Sequence, residues 1–274
     1  MAIASFSLPL TYFPQRPFSY CCSSSSLKQS NSAPSNCIAN KALQEIQNSG
    51  VIACLRAQNA DLATRAARAA LDGGISVLEI VVSTPDAFEV LRNLVHDYPA
   101  KTFGVGTVLQ AKDAKDSIKS GAKFLMSPAT VMDILVGVSV GNALYIPGVM
   151  TPTEVYPVSA LGGVGYISAL KRPFPHIPMV ASQGVTLDLI GQYIGQGATA
   201  VVLSDAIFDK EAMIQRNFDK IYQLASVAAL QGKQAVERKD SCAGFGMESF
   251  TPLSGPLGES SLVESRLVGP MDFG

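Results

Sequence analysis

The sequence predicts an α/β fold built as a (β/α)8 barrel, on three observations. Apolar, β-branched runs alternate with helical patterns; no G-x-G-x-x-G or G-x-x-x-x-G-K-[ST] follows any of the runs; and polar residues gather at the C-terminal ends of several of them. Alternating strands and helices admit either a doubly wound sheet or a barrel. The missing nucleotide fingerprints leave the sheet without support. Polar residues at strand C-termini are what a barrel places around its active-site mouth.

The strands come first. Val51–Leu55, Val77–Val82, Thr102–Leu109, Phe124–Met126, Ala143–Ile146, Ile177–Ala181 and Ala200–Leu203 are apolar on both faces, as buried parallel strands are. Helical patterns separate them. Asp61–Leu71 carries an Ala-rich face and stops at Gly73-Gly74, Pro85 opens a helix through Val95, and Ala111–Lys119 ends at Gly121. Val131–Val140 ends at Gly141, Leu187–Ile194 at Gly195, and Lys210–Gln231 forms one long closing helix. The polar residues at strand ends are Arg56, Glu79 to Thr84, Thr107, Ser127, Ser182 and Ser204.

Composition narrows the function. The chain has 274 residues, 47% hydrophobic and 16% charged, with a net charge of −1, so it lacks the basic footprint of a nucleic-acid binder or a polybasic membrane anchor. No stretch approaches the roughly 20 apolar residues of a membrane span. Two histidines, His96 and His176, and no C-x-x-C pair argue against a zinc site, a His-centred triad and a disulfide framework. Neither a metal nor another cofactor is expected.

Both ends are expected to lie outside the barrel. Residues 1–40 hold no Asp or Glu, are Ser-rich and are interrupted by Pro9, Pro14 and Pro17, a composition that fits a transit peptide and not a secretory signal. Little arginine favours a plastid over a mitochondrion; a cytoplasmic protein with a disordered tail is the plainer alternative. From residue 239 to 274 the chain is rich in Ser, Gly and Pro without periodicity and reads as a flexible tail. The barrel itself is assigned to residues 41–238.

Strand starts at about 51, 77, 102, 123 and 143 give roughly 20 to 26 residues per βα unit, but the next strand starts about 34 residues on, near 177. That interval is too long for one unit and too short for two. Seven strands are visible where a barrel needs eight.

Gly50-Val51-Ile52-Ala53, Leu78-Glu79-Ile80, Gly104-Val105-Gly106-Thr107-Val108-Leu109, Gly121-Ala122-Lys123-Phe124 with Ser127-Pro128, and Ile146-Pro147-Gly148-Val149 together resemble the KHG/KDPG aldolases, from about residue 42 to 237. The resemblance implies a class I aldolase that is usually trimeric and metal-free. It cleaves a 2-keto-3-deoxy sugar acid, phosphorylated or not, to pyruvate and an aldehyde through a Schiff base on a strand-six lysine. Here Thr151-Pro152-Thr153-Glu154-Val155 runs straight into Tyr156-Pro157-Val158 and Gly162-Gly163, and Glu154 stands where that lysine should fall. Most of helix five and strand six is missing by this comparison, the same gap that the spacing shows. Lys123, ahead of the fourth strand, and Lys171, beside Arg172 and Pro173, are poor substitutes.

The resemblance assigns the remaining roles. Glu79, a lone carboxylate in an apolar strand, is the general acid/base, or else a structural carboxylate paired with Arg56. Arg56 either binds the substrate carboxylate or holds Glu79. Thr107 belongs to a carboxylate-binding turn, and Pro128 to the substrate pocket. Ser182 and Gly184 lie where the family binds phosphate, with Gln183 departing from its Thr-Gly-Gly pattern. Ser83 replaces a common arginine, and Asp205 puts an acid into a second phosphate loop, so phosphate recognition is weakened. The expected partners are a pyruvate-like keto acid and further copies of the chain in a homotrimer. The alternative is a catalytically inactive homologue or variant isoform that binds keto acids or joins oligomers.

Overall fold

The computed structural model describes residues 35–138, 143–148 and 162–245. Helix α1 (Ser35–Ser49) leads into β1 (Val51–Leu55), and βα units follow: α2 (Ala60–Asp72), β2 (Val77–Val81), α3 (Ala87–Asp97), β3 (Thr102–Gly106), α4 (Ala111–Lys119), β4 (Phe124–Ser127), α5 (Met132–Val138) and β5 (Leu144–Pro147). After the undescribed residues come α6 (Gly163–Lys171), β6 (Val180–Ala181), a 3-10 turn at Leu187–Leu189, α7 (Ile190–Gly195), β7 (Ala200–Leu203), α8 (Lys210–Gln215) and α9 (Phe218–Phe245).

All the strand pairs are parallel, and the sheet runs β5-β4-β3-β2-β1-β7-β6. It curls into a barrel-like wall, because inward residues of strands far apart in that order pack into one small cluster. Ile52, Val77, Phe124, Ala200 and Val202 are its buried members, with Leu144 and Ile146 of β5 and Val180 of β6 against them. Ile46 of α1 joins the same cluster and closes the N-terminal end. The alternate residues, Ala53, Leu55, Leu78, Ile80, Phe103, Val105 and Val201 among them, face the helices in a larger second cluster. This two-layer arrangement is that of a TIM-type barrel.

Two strands, β5 and β6, are the sheet's edges among the described residues. All four residues of β5 are only half-buried, whereas β2, β3 and β7 are buried throughout. An edge strand lacks one neighbour to cover it. The gap expected at helix five and strand six, with Glu154, falls on residues 149–161, which lie outside the described residues.

Local chemistry explains the helix ends. Asn59 caps α2 by accepting from the Leu62 amide at 2.9 Å, and Leu62, Ala63, Ala66, Ala67, Ala70 and Leu71 form its buried stripe. A Cβ on Gly73 would come within 2.7 Å of the Tyr222 carbonyl of α9, so glycine lets the two helices approach there.

Five expectations change. The sixth strand is confined to Val180–Ala181, and Lys171 donates to the Ile177 carbonyl ahead of it. Pro85 stands ahead of α3, which begins at Ala87 after Asp86. The closing helix is two helices, broken at Arg216 with φ of 54°, where a left-handed residue ends α8. Finally, α9 continues through residues 239–245, and α1 begins at Ser35, inside the stretch read as leader. Residues 1–34 and 246–274 lie outside the described residues.

Candidate active site

A cavity of about 1060 Å³ opens at the C-terminal end of the sheet. Its wall includes Arg56, Glu79, Thr107, Pro128, Ser182 and Gly184, so residues from five strands or the loops after them are brought to one space. Each comes from the strand end or loop that the alternation of the sequence assigns to the barrel mouth. Ser83, Gln183, Ser204 and Asp205 also line it.

Glu79 is 4% exposed, and its Oε2 has no hydrogen-bond partner among the described residues. Burial pushes its pKa from 4.5 up to about 7, against opposing pulls from the Cys54 thiol and the Arg56 charge. A carboxyl so poised exchanges protons readily near neutrality. Arg56 is exposed and forms no ion pair with Glu79. The structural pairing of the two is therefore not made, and Arg56 lines the cavity, where its guanidinium can meet a carboxylate.

The backbone makes room for Glu79. A Cβ on Gly106 would fall 1.4 Å from Glu79 Oε1, and one on Gly104 would fall 2.4 Å from the Phe124 ring. Both glycines sit on the inward face of β3, one clearing space for the carboxyl and the other for the aromatic floor. The next residue, Thr107, has φ of 58°. A β-branched residue there is strained by about 1–3 kcal/mol, a device concentrated at functional turns. The turn is held by the Val108 amide donating to the Met126 carbonyl at 3.0 Å and the Ser127 hydroxyl donating to the Val108 carbonyl at 2.5 Å.

On the β6 side, Gln183 and Gly184 are successive left-handed residues at φ of 75° and 69°. The segment after them is a 3-10 turn and then the six-residue α7.

The lysines sort cleanly. Lys123 Nζ donates to the Lys101 carbonyl at 3.0 Å, and Lys171 Nζ is bound to the Pro175 and Ile177 carbonyls, all on the N-terminal side of the sheet. Among the described residues, Lys210 is the one lysine lining the cavity. It is 82% exposed and pairs with Asp205 at 3.3 Å.

Sequence reasoning missed three features. Lys210 falls at the start of the predicted closing helix, yet it lies five residues after Asp205 at the start of α8 and partly offsets that acid's charge. The inward pair Gly104 and Gly106 is signalled only by its i, i+2 spacing in a strand. Cys54 is the Cα partner of Glu79 in the β1–β2 register, a pairing that no local spacing shows.

The KDPG and KHG aldolase family profile matches residues 43–224. The 2-dehydro-3-deoxy-phosphogluconate aldolase of Pseudoalteromonas atlantica is 28% identical over 175 residues, covering 59% of this chain and 81% of that protein. The KHG/KDPG aldolase of Escherichia coli is 25% identical, covering 59% and 82%. The crystal structure of KDPG aldolase from Legionella pneumophila, with pyruvate captured as a covalent carbinolamine intermediate, aligns with a TM-score of 0.63 at 25% identity, covering 68% of this chain and 97% of that one. On the strength of the profile match, the barrel and the cavity at its mouth, this chain belongs to the KDPG and KHG aldolase family.

Proposed function

We propose that this chain keeps the keto-acid site of an aldolase-family lyase but lacks the Schiff-base amine. The cavity takes a pyruvate-like 2-oxo acid, with Arg56 and the Thr107 turn toward its carboxylate and Glu79 toward its carbonyl. The observation that carries this reading is the buried Glu79 facing a cavity whose one lysine among the described residues, Lys210, sits at the rim in an ion pair. Without an imine to accept electrons, the carbon–carbon bond of a 2-keto-3-deoxy sugar acid has no sink for its cleavage. The chain then serves as a keto-acid-binding subunit, in homotrimers or alongside a full-length sibling, in the plastid.

A second reading has one observation in its favour. Because Lys210 lines the cavity, a mobile side chain there would restore an amine and with it lyase activity on a 2-keto-3-deoxy (6-phospho)gluconate-type substrate.

Borohydride reduction in the presence of pyruvate separates the two. We expect calorimetric binding of pyruvate and no reduced adduct on any lysine. An adduct on Lys210 establishes the second reading, and absence of binding removes both. Sequencing the transcript across the codons for Thr153 to Pro157 tests the origin of the gap: a longer message shows an active sibling from the same gene.

A further inference from the structure

The cavity contains a second nucleophile, which the aldolase chemistry does not use. Cys54 and Glu79 are Cα partners in adjacent parallel strands and both project to the inner side of the sheet. Both line the cavity. Cys54 is a free thiol. Burial is the main reason that its pKa is well above the ordinary value, with the Glu79 charge adding to it, so the resting group is S–H and not thiolate. Attack by such a thiol needs a base within reach, and Glu79 is that base. A nucleophile coupled to a proton acceptor is the general signature of covalent catalysis. Independently of the thiol, Glu79 presents a buried Oε2 with no hydrogen-bond partner among the described residues, an acceptor that a ligand hydroxyl would satisfy.

We propose that Cys54, with Glu79 as its base, captures the keto carbon of a small 2-oxo acid reversibly as a thiohemiketal. This rests on the keto-acid reading above. The Sγ–C bond forms as the carbonyl π bond opens; the thiol proton passes to the Glu79 carboxylate; and the same proton is returned to the former carbonyl oxygen. The net change is addition of S–H across C=O, with no oxidant and no leaving group. The new hydroxyl then donates to Glu79 Oε2, and Arg56 faces the substrate carboxylate. Because a thiohemiketal is no electron sink, the ligand is held and not cleaved. The reverse path releases it unchanged.

The test uses the full chain with pyruvate labelled with carbon-13 at C2. In the wild type, NMR is expected to show a protein-bound tetrahedral carbon that exchanges with free ketone, and pyruvate is expected to slow iodoacetamide alkylation of Cys54, read by peptide mass. Both signals are lost in Cys54→Ala, while Glu79→Gln slows adduct formation by about a hundredfold, the usual worth of a positioned base. Cys54→Ser, closer in shape, checks that the signal depends on sulfur and not on packing. A tetrahedral signal that survives in Cys54→Ala is bound hydrate and overturns the proposal. So does calorimetric binding with only the ketone resonance present, which leaves the keto-acid reading standing. Absence of calorimetric binding sinks that reading and this proposal together.

Discussion

Replacing Glu79 with Gln should abolish a pH dependence of stability that the buried carboxyl imposes on the wild type. The folded-state pKa is raised from 4.5 to about 7, chiefly by burial. The folded chain therefore holds this proton over a range where the unfolded chain has released it. Stability is full below about pH 4.5, declines as pH rises toward about 7, and is flat above. At about 1.4 kcal/mol per pH unit the total is about 3 kcal/mol, and most of it falls between pH 5 and 8. The other shifted acidic groups lie outside this window. Asp97 and Asp209, pulled down by their hydrogen bonds to His96 and Lys220 respectively, titrate below it, and the raised Cys54 titrates above it. Urea unfolding at pH 5, 6, 7 and 8 measures the effect. The wild type should lose about 2 to 3 kcal/mol across the series relative to Glu79→Gln, whatever constant offset the amide introduces. Parallel pH profiles for the two proteins would refute the buried, uncompensated carboxyl.

Gly106→Ala should destabilise the chain by roughly 1–3 kcal/mol and displace Glu79, because the added methyl falls on Oε1; the same urea series would show both lower stability and a shallower pH slope. Arg56→Ala should weaken pyruvate binding in calorimetry by about tenfold, a charge-assisted contact, with unfolding midpoints little changed, since Arg56 makes no ion pair among the described residues. Asp205→Asn should improve binding of a phosphorylated over an unphosphorylated keto acid by roughly fivefold, the scale of one exposed charge pair, because Lys210 is then released toward the ligand. An unchanged preference would mean that neither side chain faces the distal end of the ligand.

Much of the fold was legible because parallel strands buried on both faces write themselves as continuous apolar runs. Val51–Leu55 and Ala200–Leu203 match their predicted limits, and Ala111–Lys119 does so among the helices. Ends set by distant partners were not legible. Arg216 breaks the closing helix in a left-handed conformation that its residue type does not announce, and it pairs with Asp61 of α2, far away in the chain. The sixth strand shortens because only Val180 and Ala181 find partners on β7. Glu79 was visible as a carboxylate among apolar neighbours, where burial alone makes it conspicuous. That Arg56 would form no ion pair with it was not visible.

By itself the sequence determined the βα alternation, the polar ring at the strand ends and the family, because each is written in residue types and local spacing. The tertiary structure decided which side chains meet. Parallel register puts Cys54 beside Glu79, a missing Cβ at Gly106 gives the carboxyl its place, and the turn into α8 brings Lys210 to Asp205. Those contacts depend on how strands align and helices begin in space, which no local period encodes.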